Sequence, residues 1–220
     1  MNITPTPSRP ERKATLRFGQ RELNYITLFV ALIVIAGVLW GGYRGFMSFK
    51  AQRDIVIAQE NLHTLYSAML LYSKDFDGRL PKADHWTDAI LGYLSASSSR
   101  PGGREAFLHG PADNGEVGYA FNTYASEYNF EPSGSFTQKS DTDTQSSIDP
   151  DRTVLLIEKP NAPPNATVSI PPINNVNDQA ILYKALSFPH NTGDPENAKT
   201  VILYLSGRID VVTRRDMRPQ

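Results

Sequence analysis

Residues 25–74 begin YITLFVALIVIAGVLWGGY (Tyr25–Tyr43) and continue RGFMSFKAQRDIVIAQENLHTLYSAMLLYSK (Arg44–Lys74). The first part holds no charged residue. At 1.5 Å per residue, its roughly 19 residues are long enough as a helix to cross about 30 Å of hydrocarbon. In the second part Ala51, Ile55, Ala58, Leu62, Leu65, Met69 and Tyr72 recur at alternating spacings of four and three. That spacing lines one face of a helix. Arg53, Asp54, Gln59, Glu60 and Lys74 fall off the stripe. No Pro interrupts before Pro81, and Asp77-Gly78 supplies the stop. The reading is one helix in two surroundings, apolar all round and then amphipathic. The stripe of its second half needs a cover outside the membrane, and the residues after it are the natural source.

The chain divides on this reading into four parts. Residues 1–24 are a polar, basic tail punctuated by Pro5, Pro7 and Pro10, a composition that does not build a core. Residues 25–43 are the spanning segment and 44–74 its extracytoplasmic continuation. Residues 75–220 are long enough for one modest domain. The formal net charge is −1, but the signs separate. Through Arg53 there are eight Lys/Arg against two acids; beyond it there are 14 against 21. Basic charge gathers around the apolar segment and the outer domain is mildly acidic. A nucleic-acid binder needs the opposite, a basic surface on the folded domain. The absence of Cys excludes disulfides, thiolate metal sites and a Cys nucleophile.

Arg9, Arg12, Lys13, Arg17 and Arg21 precede the apolar segment; Arg44, Lys50 and Arg53 follow it. The five-to-three excess puts the N-terminus in the cytoplasm and the bulk of the chain outside. Tyr25 at one end and Trp40 and Tyr43 at the other suit the aromatic belts at the two membrane interfaces. The run is longer than the apolar part of a cleaved signal, and no small-x-small site follows it. An uncleaved anchor is therefore expected. Gly37, Gly41 and Gly45 make two overlapping G-x-x-x-G steps, a flat stripe that another membrane helix could approach closely.

Further along, Asp75-Phe76-Asp77-Gly78 has the opening spacing of a calcium loop, but the twelfth position holds Trp86 instead of Glu, so it reads as a helix stop and turn. Residues 84–94 read as a short amphipathic helix with Trp86, Ile90, Leu91 and Leu94 inward. Residues 95–116 and 132–150 read as loops. Strands are expected at Val117–Asn122, Arg152–Glu158, Ala180–Ala185, Thr200–Leu205 and Arg208–Val212. The last two, separated by Ser206-Gly207, carry a strong hairpin signal. The Pro- and Asn-rich residues 159–178 read as an extended surface segment. The expected class is α+β: a long helix packed on a small antiparallel sheet.

Several short pieces then fall in a familiar order. They are Asn61-Leu62, Leu70–Asp75, Gly78–Pro81, Trp86–Ile90, Tyr119–Asn122, Asp149–Val154 and His190-Asn191. Together with the helix layout they resemble type IV pilins and the pseudopilins of type II secretion. The similarity is greatest to prepilin-like proteins with a C-terminal His, spacer and Asp-Gly, and it covers most of residues 45–212. It implies a membrane-embedded helix that backs an antiparallel sheet. The chain departs from that pattern at both ends. Gly19 is followed by Gln20-Arg21-Glu22-Leu23-Asn24, so Asn24 stands where the peptidase site carries Glu. Ser206-Gly207 replaces the Asp-Gly, with a longer spacer from His190. These departures imply a pilin-like fold put to a different use.

Chemistry is sparse. None of His63, His85, His109 and His190 lies in the apolar segment, so it offers no imidazole as an axial ligand. His63 reads as a helix flank. His190 reads as loop structure before it reads as a metal ligand, because no second His stands at ligand spacing. Asp141, Asp143, Asp149 and Asp151 read as a solvated loop, with weak calcium binding the alternative. A nucleophile elbow and a glycine-rich phosphate loop are both missing. The expectation is a non-catalytic, cofactor-free subunit in the inner membrane of a bacterium. Its partners are other membrane proteins and lipid, with no nucleic acid or small-molecule substrate. A pseudopilin and a periplasmic ligand- or metal-binding module are the alternatives. Secretion, respiratory and photosynthetic assemblies all recruit one-helix subunits of this kind. The charge asymmetry predicts that protease added to intact spheroplasts removes residues 46–220; full protection would show the opposite topology.

Overall fold

The computed structural model describes residues 20–94, 102–111, 117–130, 136–138 and 149–219. Arg9, Arg12, Lys13 and Arg17 of the basic tail, and Asp141 and Asp143 of the polar loop, lie outside them. The fold is α+β. One helix, α1, runs from Gln20 to Asp75 over 56 residues. The chain forms two compact units, Met1–Tyr43 and Arg44–Gln220.

In the second unit α1 buries the expected stripe. Ala51, Ile55, Ala58, Leu62, Leu65 and Met69 are buried, and Tyr72 is half-buried. Asn61, Ala68 and Ser73 are also buried, so the covered face is wider than the apolar stripe. Asp54, which falls off the stripe, is buried too, and its carboxylate is held by Arg53 at 3.1 Å. The helix stops where Asp77-Gly78 turns the chain. Both have positive φ, and the Gly78 N–H closes on the Ser73 carbonyl. A Cβ at Gly78 would lie 2.3 Å from the Phe130 carbonyl oxygen, so only Gly fits.

Among the described residues the strands are β1 (Val117–Asn122), β2 (Tyr128–Phe130), β3 (Phe136–Gln138), β4 (Val154–Ala162), β5 (Thr167–Val168), β6 (Lys199–Tyr204) and β7 (Ile209–Thr213). A five-stranded sheet has the order β5-β1-β4-β6-β7; β2 and β3 form a separate hairpin. The other helices are α2 (Trp86–Leu91), α3 (Val176–Ala185) and α4 (Arg214–Met217). The β6–β7 hairpin forms as its sequence predicts. The Gly207 N–H donates to the Tyr204 carbonyl, and Gly207 has φ +87°.

Four expectations are corrected. Phe136–Gln138, expected within the 132–150 loop, pair with β2 as a strand. The sheet is mixed, because β5 pairs parallel with β1 at Phe121–Thr167 and Asn122–Val168. The buried Asn122 side chain fixes this segment. It donates to the Val154 and Ile170 carbonyls and accepts from the Ile170 N–H. Residues 180–185 are not a strand but the end of α3. Asn175 caps that helix and Asp178 completes a capping box, a local signal stronger than the short apolar run. Lastly, β4 extends past Glu158 into the Pro-rich stretch. Its pairing with β6 ends near Ile157, so Pro160 needs no partner there. The register with β1 shifts between Val117 and Tyr119, opposite Pro160 and the left-handed Asn161.

Both faces of the sheet are covered. Tyr119, Phe121, Val201, Leu203 and Leu205 join the α1 stripe, Trp86 and Ile90 in one core. Ala120, Ile157, Ile202 and Tyr204 join Ile170, Leu182 and Leu186 in a second core under α3. The alternation along β1 and β6 is the two-residue period of a strand buried on both sides. Leu65 is fully buried while Leu71, on the same helix, is 47% exposed. Leu65→Ala is therefore expected to cost about 2–5 kcal/mol in denaturant titrations and Leu71→Ala far less. Equal midpoints would show that the stripe is not core.

Candidate functional site

The feature the folded unit does not explain is the apolar half of α1. From Tyr25 to Phe46 every side chain is exposed. Leu39 is 68% and Phe29 is 65% exposed. The helix is long and apolar enough to cross a membrane. Tyr25, Trp40 and Tyr43 are all more than 60% exposed at the two ends of the uncharged run. Gly37, Gly41 and Gly45 lie on this exposed helix. A Cβ at any of them would meet no described heavy atom within 4 Å. The chain's own described packing thus gives no reason for glycine at these positions. Arg21 lies in the first turns of α1.

His190 is placed differently from its sequence reading. It is 3% exposed, and its Nε2 lies 2.9 and 3.0 Å from the two carboxylate oxygens of Glu158, itself 2% exposed. One of those oxygens also accepts from the Val201 N–H at 2.7 Å and from the Thr200 hydroxyl at 3.4 Å. The backbones of His190 and Lys199 bond reciprocally. His190 is thus a tie between the 189–198 loop and strands β4 and β6. Sequence reasoning missed Glu158 as its partner. The only signal was a lone acid ending the run Val154–Ile157, where a strand buried on both faces has no place for an unpaired charge.

The other histidines do not gather. His63 is exposed on α1, and His85 is exposed beside Asp84. His109 lines a cavity of about 300 Å³ with Thr87, Asp88, Glu105 and Leu108. Asp88 there accepts from Asn165 at 3.0 Å, and Asn165 also caps Thr87. Among the described residues no group of three or more His, Asp or Glu side chains is placed to hold a metal. Asp149 pairs with Arg152 and accepts from the Asp151 N–H, which is loop architecture. Asp75, from the calcium-like spacing, accepts from the Tyr93 hydroxyl at 2.9 Å. The Tyr66 hydroxyl donates to the Leu205 carbonyl, and burial raises its pKa.

Removing one partner of a buried hydrogen-bonded pair leaves the other desolvated and unsatisfied. His190→Ala should therefore cost about 1–3 kcal/mol in equilibrium unfolding of the full chain in detergent. A stability equal to that of the parent would show that the pair holds nothing together.

The chain matches no protein-family model, no curated protein and no solved structure.

Proposed function

We propose that this protein is a non-catalytic, single-pass membrane subunit. Its apolar helix anchors it, and its pilin-like domain stands outside the membrane to scaffold a larger assembly. The observation that carries this reading is the exposure of every side chain from Tyr25 to Tyr43 on a helix stretch without a charged residue. In water such a surface would aggregate; in lipid it is satisfied, because the helix bonds its own backbone. The five basic residues before the span support a cytoplasmic N-terminus in a bacterial inner membrane. The glycines support a partner within the bilayer. Association there rests on close packing, and Gly37, Gly41 and Gly45 leave room for a second backbone. The buried polar groups described above tie segments of the domain to each other, which suits a structural role.

A second reading, a pseudopilin, draws on the continuity of α1 from the apolar half into the folded unit. N-terminal sequencing separates the two. A native chain starting at Gln20 with a methylated amine would favour the pseudopilin.

Purification in mild detergent, followed by identification of what accompanies the chain, tests the assembly itself. Gly41→Leu places bulk on the stripe without shortening the apolar run. It should insert and fold normally yet lose co-purifying subunits. Wild-type stoichiometry in both Gly41→Leu and Gly37→Leu would remove the stripe as an interface.

A further inference from the structure

The exposed apolar surface does not end with the uncharged run. Phe46 and Phe49, inside the second unit, are 64% and 69% exposed. On the opposite side of the same turns Met47 and Ser48 are half-buried and Ala51 is buried, so the helix is already packed there. The loop that reaches these turns is Asn191–Asn197. A Cβ at Gly193 would lie 4.0 Å from the Arg44 side chain. This loop also holds α4: the Arg214 N–H donates to the Ala198 carbonyl, and Arg218 pairs with Glu196 at 3.0 Å. One end of the folded unit thus brings together the first turns of its helix, this loop and α4.

Charge at that end is opposite to the rest of the unit. Residues 44–220 carry 17 Lys/Arg against 21 Asp/Glu. At this end Arg44, Lys50, Lys199, Arg214, Arg215 and Arg218 stand against Asp194, Glu196 and Asp216. The acids are engaged locally. Asp194 caps the turn at Glu196, Glu196 holds Arg218, and Asp216 accepts from Thr213. Arg44, Lys50, Arg215 and Arg218 are exposed. Exposed aromatics bracketed by exposed cations are the pattern of a surface at the headgroup boundary.

We propose that this end of the folded unit docks on an anionic phospholipid surface. Phe46 and Phe49 enter the headgroup layer, and Arg44, Lys50 and Arg215 meet its phosphates. The occupant is lipid because the exposed cations complement anionic headgroups, each basic residue adding to the attraction, and two exposed aromatics stand on the same helical turns as Arg44 and Lys50. The inference rests on the anchored reading above and adds that this end of the folded unit contacts the lipid surface.

The chain has no Cys, so one introduced at exposed Pro195 takes a spin label cleanly. The full-length Pro195→Cys protein is reconstituted in vesicles of phosphatidylcholine alone or mixed with phosphatidylglycerol. Flotation with both shows anchoring; no flotation with either overturns the anchored reading itself. In floated samples, collision of the label with an aqueous nickel chelate should fall about fivefold or more when anionic lipid is present. High salt should restore it, because screening shortens the reach of these charges. Lys50→Glu with Arg215→Glu should restore it at low salt. Accessibility that is equal in the two lipids, or protection that salt leaves unchanged, overturns the lipid surface while leaving the anchor standing. The second result would point to a protein contact instead.

Discussion

One α-helix carries two kinds of surface, apolar residues exposed all round and then a single buried stripe, and the rest of the structure depends on how it does so. A helix answers its own backbone hydrogen bonds wherever it runs, so only its side chains must change with the surroundings. They do so within a few residues. From Tyr25 through Phe46 every side chain is exposed and apolar residues face all directions; from Ala51 onward the buried positions return every three or four residues. The second half would be marginal alone, since an isolated helix gains little without a packed face. Its stability comes from the sheet, whose Tyr119, Phe121, Val201 and Leu203 meet the stripe. The folded unit therefore cannot be separated in thought from α1. The same helix that would enter lipid supplies a wall of the core.

That dependence explains which parts were legible in the sequence. Periodicity reports burial, so the stripe from Ala51 to Met69 was readable directly. The β6–β7 hairpin was readable because Gly207 answers a local backbone demand, a φ of +87° beside the Tyr66 ring. What failed was set by tertiary contact or overlooked among competing local signals. The run Ala180–Ala185 is apolar enough for a strand. The Asn175–Asp178 capping box decides for helix, and the reading weighed composition over the cap. The parallel β5 is two residues long and exists because Asn122 clamps Ile170 across the sheet. No local pattern announces a pairing held by one distant amide.

The candidate site was legible in the same uneven way. Aromatics, glycines and the basic asymmetry around Tyr25–Tyr43 are features of one continuous stretch, and composition shows them. The Glu158–His190 pair joins residues 32 positions apart, and neither is remarkable in its own segment. Exposure of Phe46 and Phe49 is likewise a tertiary fact. In sequence they sit in phase with a helix that could have buried either face, and only the packing of Ala51 and Ile55 shows which face remains outside.

Buried polar groups bear on function through what they are already doing. Asn122 satisfies two carbonyls and an N–H on the far side of the sheet. Glu158 accepts from an imidazole, a backbone N–H and a hydroxyl at once. Asn165 bridges Thr87 and Asp88, with the Trp86 indole N–H donating to the next carbonyl. Each cluster fastens an irregular segment to the sheet or to α2, and each uses polar capacity that desolvation would otherwise make costly. Side chains committed in this way hold a shape. In a domain whose interior polar groups fasten its own loops, the groups left for the proposed partners are exposed ones: the apolar residues of α1, its glycines, and the cations Arg44, Lys50 and Arg215.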